Sequence, residues 1–482
     1  MSDLLLTLAN TPGASKLIKT IGLPSPVKLP REKDGFADKP LLGRQALLIT
    51  PLRTKVQRFL KKALDNAGAQ IISNYTQFLS SGTQLSSGNT ENSAGKAPLK
   101  STSTQADGQV TEIDIVVLDT TGFSELGHYR HLLEGLQPAL ARLTCNARIL
   151  LIANPPEHSK DPVQSAISRG IEGFMRSLAK EVGRKGATAN LLYVAEGAEN
   201  RLEMPVRFFC SQHSAYISGQ PLVIDSDTKE PESLPLTKTL QHKIALVTGS
   251  AGGIGAETAI RLAQEGANVI CLDVPAAEEA LNKVAEGCGG MAITLDITQD
   301  EAPEKLAEFL QNQGNNLDIL VHNAGITRDK SLAKMPEHYW DAVIAVNLRG
   351  IVNIDQCLLQ KQLLNREGRI ICLSSISGIA GNFGQTNYAA TKAALIGYVA
   401  AQSRRLADLG ITVNAVAPGF IETQMTASIP VLTREAGRRL NALSQGGLPR
   451  DVAEAIAFFA SPGACGISGQ TLRVCGQGIM GA

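Results

Sequence analysis

The sequence predicts two tandem α/β domains, each a doubly wound parallel sheet with helices on both faces. Three observations lead to this fold class. The chain has 482 residues, which is too long for one ordinary core. Short β-branched apolar runs alternate with segments of helical length, as in parallel sheets that are covered by helices. The second half of the chain also repeats the order of the first half.

The repeat is clearest in three pairs of segments. The phrase "YISGQPLVIDS" (216–226) returns as "GISGQTLRVCG" (466–476), and "IDIVVLDTTG" (113–122) returns as "LDILVHNAGI" (317–326). The 25 residues from 170 to 194 align without a gap on 394–418. Each copy ends with the I-S-G-Q phrase, which predicts the last strand of each sheet.

Composition divides the chain further. Residues 1–42, rich in Pro, Gly and Lys, predict an irregular N-terminal arm, and the Ser/Thr/Gly/Asn-rich segment 78–112 predicts a surface loop. A proline-containing segment of mixed charge follows the first copy and predicts a linker. We therefore expect an arm over 1–42, a first domain over 43–226, a linker over 227–240 and a second domain over 241–482.

Charge and cysteine usage exclude several classes of function. With 46 basic and 45 acidic residues, the chain has no bulk charge to attract nucleic acid or an anionic membrane, so neither partner is expected. The eight cysteines form no C-x-x-C pair, which favours free thiols in a reducing compartment and no metal site. The N-terminus lacks the basic region of a secretory signal and no run of about 18 apolar residues occurs, so we expect a cytoplasmic protein.

A glycine-rich turn opens the second copy. The strand "IALVTG" runs into "TGSAGGIG", with Gly249, Gly253 and Gly255, and then into a helix. Glycine lets the backbone turn sharply and brings a pyrophosphate close to the helix N-terminus, where unpaired N–H groups and the helix dipole attract it. Asp273 ends the next strand and predicts an acceptor for the ribose 2′-OH that would repel a 2′-phosphate. With no Arg or Lys in the turn, the pattern favours NAD over NADP.

A second motif carries acid–base chemistry. Tyr388 and Lys392 are four residues apart on a predicted helix and so share one face. The lysine ammonium is expected to lower the pKa of the tyrosine and make it a general acid near neutral pH. Ser375 ends a predicted strand thirteen residues earlier and is expected to hydrogen-bond a substrate carbonyl oxygen.

Together these motifs resemble the short-chain dehydrogenase/reductase superfamily over residues 241–482. The resemblance implies a catalytic tetrad of Asn347, Ser375, Tyr388 and Lys392, in which Asn347 holds a water that leads to Lys392 and Lys392 also holds the nicotinamide ribose. It implies that Asp296 contacts the adenine, Asn323 lines the adenosine side and Thr423 reaches the nicotinamide amide. The full set of implied cofactor-binding residues is Gly249, Ser250, Gly253, Ile254, Gly255, Asp273, Asp296, Ile297, Asn323, Ala324, Gly325, Tyr388, Lys392, Pro418, Gly419, Ile421 and Thr423.

Within the superfamily, "GNFGQTNYAATKAALIGY" and "PGFIETQMT" resemble the 3-oxoacyl-[acyl-carrier-protein] reductases, and the doubled length resembles their high-molecular-weight bacterial form. This implies NADH-dependent reduction of 3-oxoacyl thioesters in fatty-acid metabolism. Two departures are noted. His322 stands where Asn is usual, and Leu409 stands where a basic residue docks the carrier, although Arg366 matches and Arg404 and Arg405 are near. A 3-oxoacyl-CoA substrate therefore stays open.

Two alternatives remain. Another alcohol or hydroxysteroid dehydrogenase is one, because the segment 426–443, here called the substrate loop, sets the substrate and its shape cannot be read from the sequence. A non-catalytic NAD-binding scaffold is the other, which the first half alone would suggest.

The first copy lacks the motifs of the second and predicts a degenerate Rossmann-like or flavodoxin-like domain. We expect Pro51, Lys55 and Gln57 at the places of the three glycines. Gln164 and Ser168 take the tyrosine and lysine positions, and Asn154 lies near the serine position. We assign this half no reduction chemistry. Because the superfamily usually forms tetramers, we expect the chain to form a homodimer whose four domains resemble one.

Overall fold

The structure is a computed structural model, and it describes residues 3–11, 26–72, 112–314, 316–427 and 429–478. Two parallel sheets, each flanked by helices, confirm the predicted fold class. The surface loop expected over 78–112 lies, apart from its last residue, outside the described residues.

The first sheet has six parallel strands in the order β2-β1-β3-β4-β5-β6. Its strands are β1 (Gln45–Ile49), β2 (Gln70–Ile72), β3 (Ile113–Asp119), β4 (Leu143–Ala153), β5 (Thr188–Val194) and β6 (Pro221–Ile224). The accompanying helices are Gln57–Asn66, Arg130–Leu140, Pro162–Val182 and Glu203–Cys210. Every residue of β5 is buried, as expected for a strand with helices on both faces.

The second sheet has seven parallel strands in the order β13-β12-β11-β10-β7-β8-β9. They are β7 (Ile244–Thr248), β8 (Asn268–Asp273), β9 (Met291–Thr294), β10 (Leu317–His322), β11 (Leu364–Leu373), β12 (Thr412–Pro418) and β13 (Thr471–Val474). Its helices are Gly253–Gln264, Glu278–Cys288, Ala302–Asn312, Glu337–Ile344, Gly350–Gln360, Ile376–Ala380, Thr386–Leu406, Gln424–Ala427, Val431–Arg439 and Pro449–Ala460. Chain order reverses beside β7, and parallel sheets bind ligands in the crevice at such a point.

The internal repeat is real in three dimensions. The helices Pro162–Val182 and Thr386–Leu406 each have 21 residues and occupy matching places, and they are followed by the equivalent strands β5 and β12. Arg148 pairs with Ile115 in the first sheet, as Arg369 pairs with Ile319 in the second. The gap-free alignment predicted from the sequence is confirmed here.

The predicted correspondence for the first glycine, Gly249, is off by one residue. Strand pairing sets Ala46 opposite Ile115 and Ala245 opposite Ile319, so Ala46 matches Ala245. Counting from there, Thr50 and not Pro51 lies at the place of Gly249. Strand pairing also sets Gln45 opposite Gln70 and Ile244 opposite Asn268, so the first copy has one extra residue between these strands. Counting back from the second strand leaves Lys55 and Gln57 at the places of Gly253 and Gly255, as predicted. No motif inside the turn of the first copy marks the extra residue, whereas the pairing of the strands on either side reveals it. Neither assignment leaves a glycine in the turn.

The two domains meet along the last strands of their sheets. Gln470 donates to and accepts from the backbone of Val223, at 2.6 Å in both bonds. Gln220 accepts a 3.0 Å hydrogen bond from Arg473. Beside the strands, the rings of Phe208 and Phe458 stack with centroids 4.3 Å apart. The I-S-G-Q phrases therefore form part of the interface between the domains.

The N-terminal arm is more regular than expected. Leu4–Ala9 is a helix capped by Asp3, whose carboxylate accepts from the backbone of Leu6, so the expectation of an irregular arm is wrong for these residues. Further along, Arg31 forms a bidentate ion pair with Asp451 of the second domain, with nitrogen–oxygen distances of 2.7 and 2.9 Å. The arm therefore packs on the second domain.

One helical run, Glu337–Gln360, is long and apolar enough to cross a membrane by length and composition alone, and 44% of its most apolar window is buried inside the chain. Core helices of soluble proteins pass the same test. This run holds buried residues that face the second sheet, among them Ile351 and Ile354. We interpret it as a core helix with an apolar outer face.

Candidate active site

The glycine turn between β7 and its helix leaves space beside the backbone. Gly249 and Gly253 have φ angles of +66° and +59°, a region that L side chains rarely adopt. A methyl group on Gly255 would lie 2.1 Å from the Gly249 carbonyl oxygen. No side chain caps the helix that begins at Gly253, so its first N–H groups remain available for an anion. The turn fits a pyrophosphate.

Asp273 lies at the end of β8, beside this turn. One carboxylate oxygen accepts a hydrogen bond from the Ala251 N–H at 2.8 Å, and the other accepts from the Val274 N–H at 2.8 Å. The carboxylate is therefore fixed next to the turn, where an oxygen acceptor suits a ribose hydroxyl. Ser250, by contrast, is buried, and its hydroxyl donates to the Leu272 carbonyl.

Asn323 connects the turn to β10. Its side-chain amide donates to the carbonyl oxygens of Thr248 and Gly249, at 3.0 and 2.8 Å. The Thr248 hydroxyl accepts from the N–H groups of Asn323 and Ala324, both at 3.1 Å. Asn323 thus braces the glycine turn from the neighbouring strand.

The other predicted cofactor residues lie at the same edge of the sheet. Asp296 and Ile297 follow β9, and Gly419, Ile421 and Thr423 follow Pro418, the last residue of β12. Ile254 is partly buried at the start of the helix Gly253–Gln264. A methyl group on Gly253 would lie 3.9 Å from the Thr423 side chain, which brings this loop close to the turn. Burial opposes ionisation of Asp296, but hydrogen bonds from Thr298 hold its pKa below the usual value.

Lys392 and Asn347 meet beside Gly325. A methyl group on Gly325 would lie 3.3 Å from the Lys392 ammonium and 3.4 Å from the Asn347 side-chain oxygen. Asn347 is fully buried on a π-helical turn, Ala345–Arg349, and exchanges hydrogen bonds with the backbone of Ile326 at 2.8 and 3.0 Å. Such turns are frequent at functional sites because they redirect one side chain.

Burial changes the titration of Lys392. Its ammonium donates to the Leu373 carbonyl oxygen at 2.6 Å and lies 5.6 Å from the centre of the Tyr388 ring. Because burial disfavours the charged form, the pKa of Lys392 falls to about 8. The ammonium therefore gains and loses its proton close to neutral pH.

The pKa of Tyr388 differs from the one predicted from the sequence. Its pKa is raised, because burial outweighs the opposing hydrogen bond with Ser375. In this structure the ammonium of Lys392 is directed to a backbone carbonyl, so the lowering of the tyrosine pKa predicted from the sequence is not seen. Tyr388 is consequently a protonated phenol at neutral pH. Ser375 caps the short helix Ile376–Ala380 and lies at the end of β11.

The structure also shows residues that the sequence reasoning missed. The Thr391 hydroxyl accepts from the Asn347 amide at 3.3 Å, and Ser374 donates to the Lys392 carbonyl at 2.7 Å. Thr391 directly precedes Lys392, and that adjacency was the one available signal. His322, the departure from the family pattern, is fully buried and hydrogen-bonds Asp355 at 2.7 Å, which agrees with a hydrogen-bonded replacement.

The matching places in the first domain hold a different set. Asp119 occupies the place of Asn323, and its buried carboxylate accepts from Thr54 and Thr121. The Asn154 amide donates to the Thr121 carbonyl, while Ser168 is buried at the lysine place. A buried carboxylate bonded to Thr54 therefore stands where the second domain has the Asn323 amide bonded to the glycine turn. Among the described residues of both domains, no group of three or more metal-ligating side chains occurs.

Comparison with known proteins agrees with this geometry. Residues 249–477 match the protein family described as Enoyl-(Acyl carrier protein) reductase. The chain is similar to the 3-oxoacyl-[acyl-carrier-protein] reductase of Thermotoga maritima, with 42% identity over 49% of this chain and 98% of that protein. The reductases of the same name from Vibrio cholerae and Escherichia coli are 41% and 39% identical, each over 49% of this chain and 97% of their own length.

These matches concern the half of the chain that holds the glycine turn, the buried lysine and the tyrosine. Near-complete coverage of relatives at about 40% identity, together with this site, shows that the chain belongs to the short-chain dehydrogenase/reductase family of oxidoreductases.

Proposed function

We propose that the second domain reduces 3-oxoacyl thioesters, carried on CoA or on an acyl carrier protein, to 3-hydroxyacyl thioesters with NADH. The observation that carries the proposal is the meeting of Lys392, Asn347 and the Tyr388 helix beside Gly325, next to the glycine turn. The names of the three relatives reported above support the substrate class.

The glycine turn and Asp273 would hold a nicotinamide dinucleotide, which when bound would supply a hydride for the carbonyl carbon of the substrate. Tyr388 donates its phenolic proton to the carbonyl oxygen, and its raised pKa keeps that proton present at neutral pH. Ser375 donates a hydrogen bond to the same oxygen and orients it. Lys392, with a pKa of about 8, returns a proton towards the tyrosine through the buried polar groups around Asn347.

We propose NADH over NADPH because of the charge beside the turn. The Asp273 carboxylate is fixed by two backbone N–H groups and would repel a 2′-phosphate. No lysine or arginine occurs in the turn 248–255 or in 273–282. The test compares kcat/KM for the two cofactors. An Asp273→Asn variant should narrow the preference for NADH, and a wild-type preference for NADPH would reject this assignment.

A spectrophotometric assay of NADH oxidation tests the substrate class. Acetoacetyl-CoA, a simple ketone and a ketosteroid are compared at equal concentrations. We expect turnover with the thioester at least tenfold above the other two. Faster turnover of the ketone or the steroid would support the alternative dehydrogenase, and no turnover with any of them would support a non-catalytic NAD-binding protein.

A Tyr388→Phe variant tests the mechanism. It should lose nearly all turnover while binding NADH as before, because only the proton donor is removed. Tyr398→Phe serves as a matched control, since this residue lies on the same helix and donates instead to Asp355 at 2.8 Å. Retention of more than a tenth of the wild-type kcat by Tyr388→Phe would disprove the assignment.

The thioester carrier is a separate question. Arg366 hydrogen-bonds the Asp408 carbonyl at 3.3 Å, next to Leu409, so the two docking positions are neighbours in the structure. With only one of them basic, the surface offers less charge to an acidic carrier protein. We propose that CoA thioesters are reduced with kcat/KM values close to those of the carrier-bound forms. A preference above a hundredfold for the carrier-bound substrate would contradict this.

We propose a cytoplasmic homodimer with no nucleic-acid or membrane partner, in which the first domain has a structural role. The eight cysteines are all free thiols, which fits a reducing compartment. The partly exposed apolar run Glu337–Gln360 supports packing against a second chain. Light scattering should give twice the chain mass of 51.0 kDa. A fully active monomer of 51.0 kDa would reject the dimer.

A further inference from the structure

Two thiols lie side by side close to the glycine turn of the second domain. Cys271 is on β8, and Cys288 is the last residue of the helix Glu278–Cys288. Their sulfur atoms are 4.0 Å apart. Cys271 is fully buried and Cys288 is partly exposed. The strand and the end of the helix thus already hold the two sulfur atoms in contact.

The pair is chemically asymmetric. The hydrogen bond between the two sulfurs lowers the pKa of Cys288, and the same bond, with burial, raises the pKa of Cys271. Cys288 is therefore the sulfur that ionises more readily, and the thiolate is the nucleophilic form of cysteine. Its partial exposure gives a small oxidant access.

We propose that Cys271 and Cys288 form a reversible disulfide on exposure to a hydroperoxide, and that this disulfide weakens nucleotide binding in the second domain. The first statement concerns the chemistry of the two sulfurs and stands by itself. The second rests on the proposed function.

The reaction proceeds in two steps that balance. The Cys288 thiolate attacks the hydroperoxide, the O–O bond breaks, and the leaving oxygen takes a proton from solvent to give an alcohol or water, while the sulfur becomes a sulfenic acid. Cys271 then attacks that sulfur, the S–O bond breaks, and water leaves with the Cys271 proton. In total, two thiols and one hydroperoxide give one disulfide, one alcohol and one water. A dithiol reductant converts the disulfide back to the two thiols.

The link to the nucleotide runs along β8. A disulfide is about 2.05 Å long, so the sulfurs must approach by about 2 Å. Ser250, in the glycine turn, donates from its backbone N–H and from its hydroxyl to the carbonyl oxygen of Leu272, the residue after Cys271. Asp273, the proposed ribose acceptor, is two residues beyond Cys271 on the same strand end. Formation of the disulfide therefore displaces the part of β8 that contacts Ser250 and carries Asp273, the two residues beside the glycine turn.

Mass spectrometry of the full chain tests the bond. Trypsin separates Cys271, in the peptide 262–283, from Cys288, in the peptide 284–305. After hydrogen peroxide treatment and thiol alkylation, we expect these two peptides linked, with a mass about 2 Da below their sum. Dithiothreitol should restore both alkylated peptides. Sulfinic acid at Cys288, or no change up to millimolar peroxide, would overturn the disulfide.

Variants test the effect on the nucleotide. In the wild type, peroxide should raise the KM for NADH at least threefold, and dithiothreitol should reverse it. Cys288→Ser should abolish the linked peptide and the KM change, while Cys145→Ser, which removes an exposed lone thiol, should keep both. Linked peptides with an unchanged KM would overturn the coupling alone. If the wild type turns over no thioester, the proposed function fails while the mass result still decides the disulfide.

Discussion

Replacing Glu454 with glutamine should destabilise the whole chain, because this carboxylate is the centre of a buried charge cluster. It accepts from Arg261 at 2.8 Å and from Arg450 at 2.7 Å, and it bonds the His213 ring of the first domain at 2.8 Å. Arg261 is fully buried and also donates to Glu265 at 2.6 Å. The glutamine keeps the shape of the side chain and removes its charge, which leaves Arg261 only partly compensated.

The magnitude follows from the titration of the carboxyl group. Burial opposes its ionisation, but Arg261 and His213 outweigh burial and lower the pKa of Glu454 from 4.5 to about 2. A carboxyl group shifted by that amount contributes about 3 kcal/mol of unfolding free energy at neutral pH. Breaking a buried ion pair by removing one partner costs about 3–5 kcal/mol, which agrees. Since the folded pKa is depressed, the contribution is complete above pH 4.5 and is lost as the pH falls towards 2.

Urea denaturation followed by far-UV circular dichroism measures this effect at pH 7 and at pH 3. We expect Glu454→Gln to lose about 3 kcal/mol at pH 7 and less than half of that at pH 3. Glu279→Gln is a matched control, because its ion pair with Lys283 lies on the surface, and its midpoint should not change. A loss below about 1 kcal/mol at pH 7 would refute the reasoning that this cluster stabilises the junction of the domains.

Three further predictions concern the site. The kcat for reduction should fall as the pH rises through about 8, because Lys392 then loses its proton, and a flat profile to pH 10 would contradict its role. Gly255→Ala should weaken NADH binding at least a hundredfold in a fluorescence titration, whereas Gly287→Ala, where a methyl group meets nothing within 4 Å, should bind NADH normally. Asp3→Asn should raise the KM for the thioester two- to fivefold and leave the KM for NADH unchanged, because the ion pair of Asp3 with Arg439 holds the substrate loop in place. A thioester KM equal to that of the wild type would refute this.

Much of the fold and of the nucleotide turn could be predicted from the sequence, because both rest on local patterns. β-branched runs such as β10 and β12 form strands at the predicted places, and the turn at Gly249 has the positive φ that its glycine implies. The gap-free alignment of residues 170–194 also holds, because the two matching helices have equal length and need no insertion or deletion between them.

Long-range features could not be predicted in the same way. Whether Lys392 lowers the pKa of Tyr388 depends on where its ammonium points, and the Leu373 carbonyl that attracts it belongs to another strand. The pairing of Cys271 with Cys288 likewise requires a helix to return its last turn to β8. Neither contact leaves a trace in residue spacing, because each depends on packing between distant segments.

The repeated I-S-G-Q phrase shows how the two kinds of information combine. The sequence identified it as the end of each copy, and the structure adds that Gln470 and Gln220 each cross to the other domain. Edge strands expose unpaired backbone groups, and here the Gln470 amide satisfies both backbone groups of Val223. The first domain has lost the glycines of the nucleotide turn but has kept this edge. The second domain thus covers the last strand of the first through Gln470, and Gln220 of the first domain accepts in return from Arg473, so the repeated phrase joins the two copies at this edge.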